Sequence, residues 1–257
     1  MILSAKSGLL RRTRAVAFHL AGRGSARLAK RVPIADCPAW AAFALQMKVP
    51  RRVQPRAQRS PSGSANIKIL LRLLDETAGI SGDVAECGVY RGATLLSMGL
   101  YLQQRKIEKT LFGFDSFQGF DESVQVDLQL GGETYPDKRV GGLGNTSYKN
   151  VWDRAKWLGL TSRVRLTKGR FEEALPSVAD RRFSFVHLDC DLYESYRTCL
   201  EFFYPRLARG GIVLLDEYND PPWPGCNKAV DEFLADKPET LVECESDNYQ
   251  KWCFRKI

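Results

Sequence analysis

Apolar positions recur along this chain in two rhythms that alternate from about residue 65 onward. Ile67, Ile69, Leu70, Leu71, Leu73 and Leu74 follow helical spacing, with Gly79 near the stop. Val84 to Glu86 is read as a short strand, Cys87 to Gly92 as a tight turn, and Ala93 to Gln104 as a helix. Leu111–Asp115 and Val164–Thr167 are the second and third strands; Phe171 to Leu175 starts a short helix that stops before Pro176. The fourth strand is Phe183-Ser-Phe-Val-His-Leu, which runs into Asp189-Cys-Asp191. A run this apolar fits a strand covered on both faces, as in a parallel sheet. A helical stripe of Leu192, Tyr196, Cys199, Leu200 and Phe203 lies within Asp191 to Leu207 and is closed by Gly210-Gly211. Ile212 to Leu215 is the fifth strand, Lys228 to Leu234 a helix, and Leu241-Val-Glu and Tyr249 to Phe254 two closing strands. This alternation predicts an α/β chain with a doubly wound, mostly parallel sheet and helices on both faces.

Two segments break the rhythm. Residues 1–64 are read as a basic N-terminal extension and linker, ahead of a compact domain over 65–257. Pro50, Pro55 and Ser60-Pro-Ser-Gly-Ser mark the linker, and Val16-Ala-Phe18 with Leu20 hints at one amphipathic helix before it. Residues 116–150 carry Gly119, Gly131-Gly132, Gly141-Gly142 and Gly144. So long an irregular stretch inside a compact domain is a lid or a disordered insertion; Phe117, Phe120, Tyr135 and Tyr148 favour a lid.

Charge sharpens the first boundary. The chain has 257 residues and a formal net charge of +8, yet residues 1–60 hold thirteen Lys or Arg against Asp36 alone, leaving the remainder at 8 − 12 = −4. The basicity therefore belongs to the extension, and whole-chain charge is no argument for a nucleic-acid partner. The extension has three readings: a loosely packed tail, a contact for a partner or anionic surface, or a mitochondrial-type transit peptide. It is also where a homo-oligomer interface could form. A 44% hydrophobic fraction excludes global disorder, and no apolar run reaches the ~18 residues of a membrane span. Seven scattered cysteines without a Cys-x-x-Cys pair point away from a zinc ribbon or disulfide scaffold and toward a reducing, cytoplasmic setting.

Candidate chemistry sits at the strand ends. The first βα turn, Glu86-x-Gly88-x-x-x-Gly92, offers close backbone approach and free helix N–H groups. It is not the Gly-x-Gly-x-x-Gly of dinucleotide sites, and no Walker Lys-Ser/Thr follows. A carboxylate before the first glycine repels a pyrophosphate and suits the amino group and sulfonium of S-adenosylmethionine. Asp115 is placed to accept from ribose hydroxyls. Asp189, Asp216 and Glu217 end adjacent strands and could converge on a hard cation, Mg²⁺ ahead of Ca²⁺ or Mn²⁺; the competing reading is that they cap the following helices. Asp191, two residues beyond Asp189, could act beside the metal as a base. His187 is read as a core residue or one that supports a neighbouring ligand, with a direct catalytic role the lesser reading, and Trp223 as part of a substrate mouth or a stiff loop.

Five segments together resemble the macrocin O-methyltransferase type of S-adenosylmethionine-dependent enzymes. They are Val84-Ala-Glu-Cys-Gly-Val-Tyr-Arg-Gly, Gly113-Phe-Asp-Ser-Phe-Gln-Gly-Phe, Lys168-Gly-x-Phe, His187-Leu-Asp-Cys-Asp-Leu-Tyr-Glu-Ser and Gly210-Gly-Ile-Val-Leu-Leu-Asp-Glu-Tyr. The resemblance covers Ile67 to Phe254. It implies a Rossmann-like class I methyltransferase fold of seven strands with the last reversed, Mg²⁺ dependence, and methylation of a small-molecule hydroxyl, often on a sugar. Carried over, Asp189, Asp216 and Glu217 match metal ligands, and Asp191 the general base. Glu86, Gly88 and Asp115 match cofactor contacts; Tyr90, Gly92, Ser116 and Gly169 complete the expected cofactor-binding set. Glu217 departs from the aspartate often found there. A nucleotide-dependent oxidoreductase and a non-catalytic ligand-binding protein of the same fold are the alternative readings.

Overall fold

The computed structural model of the chain describes residues 63–246 and 249–257. The basic extension, with the helix and most of the linker expected in it, lies outside the described residues. Helix α1 (Gly63–Glu76) leads into β1 (Asp83–Cys87), α2 (Ala93–Gln104) and β2 (Leu111–Asp115). The insertion carries α3 (Val124–Leu130), and α4 (Tyr148–Leu158) begins at its far end. Then come β3 (Val164–Lys168), the short α5 (Phe171–Ala174), β4 (Phe183–Leu188) and α6 (Tyr193–Phe203). Strand β5 (Leu207–Leu215), α7 (Pro224–Leu234), β6 (Val242–Ser246) and β7 (Tyr249–Arg255) complete the domain.

The seven strands lie in the order β3-β2-β1-β4-β5-β7-β6. Neighbours from β3 to β5 pair in parallel, and β7 runs antiparallel to both β5 and β6. This is the mostly parallel sheet that the strand–helix alternation predicts, with the Rossmann-like order and reversed last strand that the family resemblance implies. Successive residues of each strand point to opposite faces, so the core is double. Val84, Leu111, Phe185 and Leu214 pack with α1, α2 and α4 on one face. Ala85, Phe114, Val186 and Leu215 pack with α6 and α7 on the other. All six residues of β4 are buried, as befits the central strand. Six cysteines are buried free thiols, and among the described residues no helix is long and apolar enough to cross a membrane.

Three local expectations need correction. Gly210-Gly211 does not end a helix; it lies inside β5, which starts at Leu207. The Gly210 N–H donates to the Lys256 carbonyl at 2.7 Å and the Lys256 N–H to the Gly211 carbonyl at 2.8 Å, so a distant segment holds the pair in the sheet. A Cβ on Gly211 would come within 2.8 Å of the Ala208 carbonyl oxygen, which explains the glycine. The insertion is not irregular throughout. Its helix α3 reads Val-Gln-Val-Asp-Leu-Gln-Leu, an alternation with strand period that hides helical structure. Finally, Pro176 does not lie beyond a helical segment but inside one, a 3-10 turn over Leu175–Val178, and α7 starts at Pro224 rather than Lys228. Proline suits such first-turn positions because its missing N–H would have had no partner there.

Candidate active site

The parallel ladder gathers the acids. Glu86 on β1 is level with His187 on β4, and Leu188 is level with Leu215 on β5. Pairing continues one step further: the Asp189 N–H donates to the Cys87 carbonyl and the Asp216 N–H to the Leu188 carbonyl, each at 2.9 Å. Asp189 and Asp216 thus leave neighbouring strands at one level, at the carboxyl end of the sheet, where open α/β folds bind ligands. One carboxylate oxygen each of Asp189, Asp216 and Glu217 lie within 4.8 Å of one another.

A row of alternating charge crosses the sheet at this level. Glu86 Oε1 is 3.0 Å from His187 Nδ1, His187 Nε2 is 3.3 Å from Asp216 Oδ1, and Lys251 Nζ is 2.7 Å from Asp216 Oδ2. Strand β7 supplies this lysine because Leu215 is level with Trp252, which sets Lys251 beside Asp216. Burial disfavours the His187 imidazolium, but its hydrogen bonds to Asp216 and Glu86, which accept from its ring N–H groups, outweigh it and raise its pKa to about 10. Burial likewise opposes charge on Asp216, yet Lys251 and His187 hold its carboxyl well below the usual range.

The remaining acids lack such partners. Burial and the Asp216 charge push Asp189 up to about 7. Burial first, and like charge second, raise Asp191 and Glu217 well above ordinary carboxyl values. Glu217 Oε2 accepts from the Tyr196 hydroxyl at 2.6 Å and from the Asp191 N–H at 3.2 Å. Five carboxyl groups, of Glu86, Asp189, Asp191, Asp216 and Glu217, thus share two cationic side chains, His187 and Lys251, and all but Asp216 are pushed toward the protonated form. A divalent cation would favour their ionised forms, and the all-carboxylate oxygen set of Asp189, Asp216 and Glu217 fits Mg²⁺. The donor set is compatible with the metal expected from the sequence.

Beside the acids lies the glycine turn. Gly88 has φ +88°, and a Cβ there would sit 1.6 Å from the Asp189 carbonyl oxygen. Tyr90 also takes a left-handed backbone, φ 48°. Asp115 ties the turn down: Oδ2 accepts from the Val89 and Tyr90 N–H groups at 2.9 and 2.7 Å, and Oδ1 from the Phe117 N–H at 2.6 Å. Gly92, φ 78°, caps α2. Glu86 lies fully buried beneath the turn. Its Oε2 has the Thr94 side chain nearby but no partner with hydrogen-bond geometry. That oxygen is sealed inside the fold, so it does not present itself to a ligand amino group as the sequence leads one to expect.

Both groups open onto one cavity of about 860 Å³. Gly88, Tyr90, Asp115, Ser116 and Gly169 line it, as do Asp189, Asp191, Asp216 and Glu217. Of the residues singled out in the sequence, Glu86 and Gly92 are not on its wall. The insertion forms its roof. Phe120 and Tyr135 meet Trp223 at ring distances of 5.6 and 5.2 Å, and Lys138 Nζ sits 5.5 Å from the Trp223 ring centroid. Asp127 on α3 accepts from the Tyr193 N–H at 3.0 Å, docking the roof on the start of α6. Sequence reasoning misses Lys251, Tyr196 and Asn66, whose Nδ2 donates to Asp216 Oδ1 at 3.3 Å. The one signal for Lys251 is its phase: it alternates with Trp252 and so shares the face of buried Cys253.

Comparison with known proteins agrees with this arrangement. The macrocin-O-methyltransferase (TylF) family model matches residues 46–244. The chain is similar to mycinamicin III 3''-O-methyltransferase of Micromonospora griseorubida, at 30% identity over 60% of this chain and 61% of that protein. It is also similar to demethyldecarbamoylnovobiocin O-methyltransferase of Streptomyces niveus, at 31% identity over 65% of this chain and 64% of that one. These alignments span less than two thirds of the length of either relative. Among solved structures, the O-methyltransferase NovP superposes with a TM-score of 0.63 and 27% identity, over 76% of this chain and 81% of NovP.

Proposed function

The chain belongs to the macrocin-O-methyltransferase (TylF) family, and from that premise we propose that it is an S-adenosylmethionine-dependent, Mg²⁺-assisted O-methyltransferase acting on a hydroxyl of a sugar or other natural product. The observation that carries this reading is the single cavity shared by the Gly88 turn and the acid cluster. Gly88, Tyr90, Asp115, Ser116 and Gly169 would hold the cofactor, while Glu86 beneath them holds His187. Asp189, Asp216 and Glu217 would hold the metal.

When bound, S-adenosylmethionine supplies an electrophilic methyl group on a sulfonium, and Mg²⁺ lowers the pKa of a coordinated hydroxyl. Asp191 takes the proton of the acceptor hydroxyl. Transfer of the methyl group from sulfur to the acceptor oxygen would then release S-adenosylhomocysteine, with the hydroxyl proton left on Asp191. The rest of the site orients: a left-handed turn at Asp191, φ 58°, whose N–H is held by Glu217, fixes where the base stands.

The test uses the purified protein with S-adenosylmethionine labelled in its methyl group. Mycinamicin III, demethyldecarbamoylnovobiocin and simple methyl glycosides serve as acceptors, with Mg²⁺ or with EDTA. Labelled product that needs Mg²⁺ and disappears in EDTA is expected. Full activity in chelator would remove the metal role; no transfer to any acceptor would remove the methyltransferase reading.

A further inference from the structure

Tyr135 on the cavity wall combines a fixed ring with a hydroxyl that no described residue hydrogen-bonds. Its ring lies 5.2 Å from that of Trp223, which is only 4% exposed. The backbone around it is held as well. A Cβ on Gly132 would come within 2.6 Å of the Pro221 carbonyl oxygen, so the roof and the β5–α7 loop touch there. The Glu133 N–H donates to that same carbonyl at 3.0 Å, and Lys138 Nζ to the Pro222 carbonyl at 2.8 Å.

Within this frame the Tyr135 hydroxyl makes no hydrogen bond to a described residue. By contrast, the hydroxyls of Tyr90, Tyr101, Tyr193, Tyr204 and Tyr218 are each paired with a side-chain oxygen at 2.5–2.7 Å. A half-buried phenol normally finds a partner, and on this cavity wall a bound acceptor oxygen would supply one. Burial raises the Tyr135 pKa, and the negative charge of Asp191 adds to the effect, which keeps the phenol a neutral donor. Tyr135 comes from the roof and Asp191 from the end of β4, yet both line the same cavity. A phenol both donates and accepts, so it can read a hydroxyl that a carboxylate alone could only accept from.

We propose that Tyr135 is a positioning residue for the methyl acceptor: its hydroxyl bonds an acceptor oxygen and turns the reacting hydroxyl toward Asp191. This rests on the methyl-transfer reading above. A roof residue that recognises oxygen selects polyhydroxylated acceptors over hydrocarbon-rich ones, and its ring packs on Trp223 rather than on the cofactor turn or the metal ligands.

The test is Tyr135→Phe, which keeps the ring against Trp223 and removes only the oxygen. Kinetics are measured with whichever acceptor the wild type methylates, together with calorimetry of S-adenosylhomocysteine and thermal melting. Expected is a loss of about tenfold in kcat/KM for the acceptor, most of it in KM, as for one hydrogen bond. The KM for S-adenosylmethionine, the affinity for S-adenosylhomocysteine and the Tm stay as in the wild type. An unchanged acceptor kcat/KM overturns the proposal, and so does an equal loss of S-adenosylhomocysteine affinity, which would mark a structural role. Should the wild type methylate no acceptor, the methyl-transfer reading fails and takes this inference with it; activity in the wild type and in Tyr135→Phe alike removes the role of Tyr135 alone.

Discussion

Replacing Gly88 by alanine puts the close approach of two strand ends to the test. In the folded chain the space for a Cβ at this position is taken by the Asp189 carbonyl, 1.6 Å to its oxygen and 2.6 Å to its carbon. No flexible side chain is there to yield; the obstacle is backbone. Two costs add. Holding alanine at φ +88° costs about 1–2 kcal/mol. Pushing the end of β4 aside costs about 1–3 kcal/mol more, as for overpacking elsewhere in protein cores. The sum, about 2–5 kcal/mol, lowers Tm by about 4–20 °C at about 2–4 °C per kcal/mol for a domain of this size. Because the displaced carbonyl belongs to Asp189, affinity for divalent cations falls with stability. Gly169→Ala is the control just past β3, two strands from β1, where a Cβ meets nothing closer than 3.5 Å and the backbone is not left-handed. Scanning calorimetry of wild type and both variants, with calorimetric titration of Mn²⁺, reads both effects. Should Gly88→Ala melt within about 2 °C of Gly169→Ala, the close approach is not obligatory and the argument from it fails.

Other outcomes follow from the same geometry. Lys251→Met leaves the Asp216 carboxylate without its ammonium partner in a site where the lysine side chain is 4% exposed. Breaking such a buried pair costs about 3–5 kcal/mol, so urea denaturation should show a large fall in stability, and a wild-type midpoint would discount the pair. Asp191→Asn keeps the shape of the side chain and removes the base. Its turnover should drop by about 10²–10⁴ while S-adenosylhomocysteine affinity is kept, and equal turnover counts against Asp191. For the methyl transfer itself, EDTA and Mg²⁺ add-back provide the decisive comparison.

Much of this was legible in residue order, and the reason is local. Phe183–Leu188 and Ile212–Leu215 announce buried strands by their apolar runs, and the acids that end them fall at one level because parallel pairing keeps register. What stayed hidden depends on partners far away in the chain. Gly210-Gly211 looks like a stop signal until the Lys256 backbone pairs with it. Helix α3 alternates like a strand and is held helical by docking, with Val124 and Asp127 buried while Leu128 remains 45% exposed. Lys251 belongs to no motif; only the reversal of β7 makes it the counter-ion of Asp216. Glu86 was expected to face a ligand amino group. It lies off the cavity wall, with one oxygen committed to His187 and one left over.

The left-handed turn at Asp191 has a consequence of its own. A non-glycine residue at φ 58° is held against its preference, and its carboxyl is crowded by Asp189 and Asp216. Glycine in its place would relax the backbone and thin out the negative charge together. The fold would gain by losing this residue, so drift toward greater robustness and retention of the reaction pull this position in opposite directions.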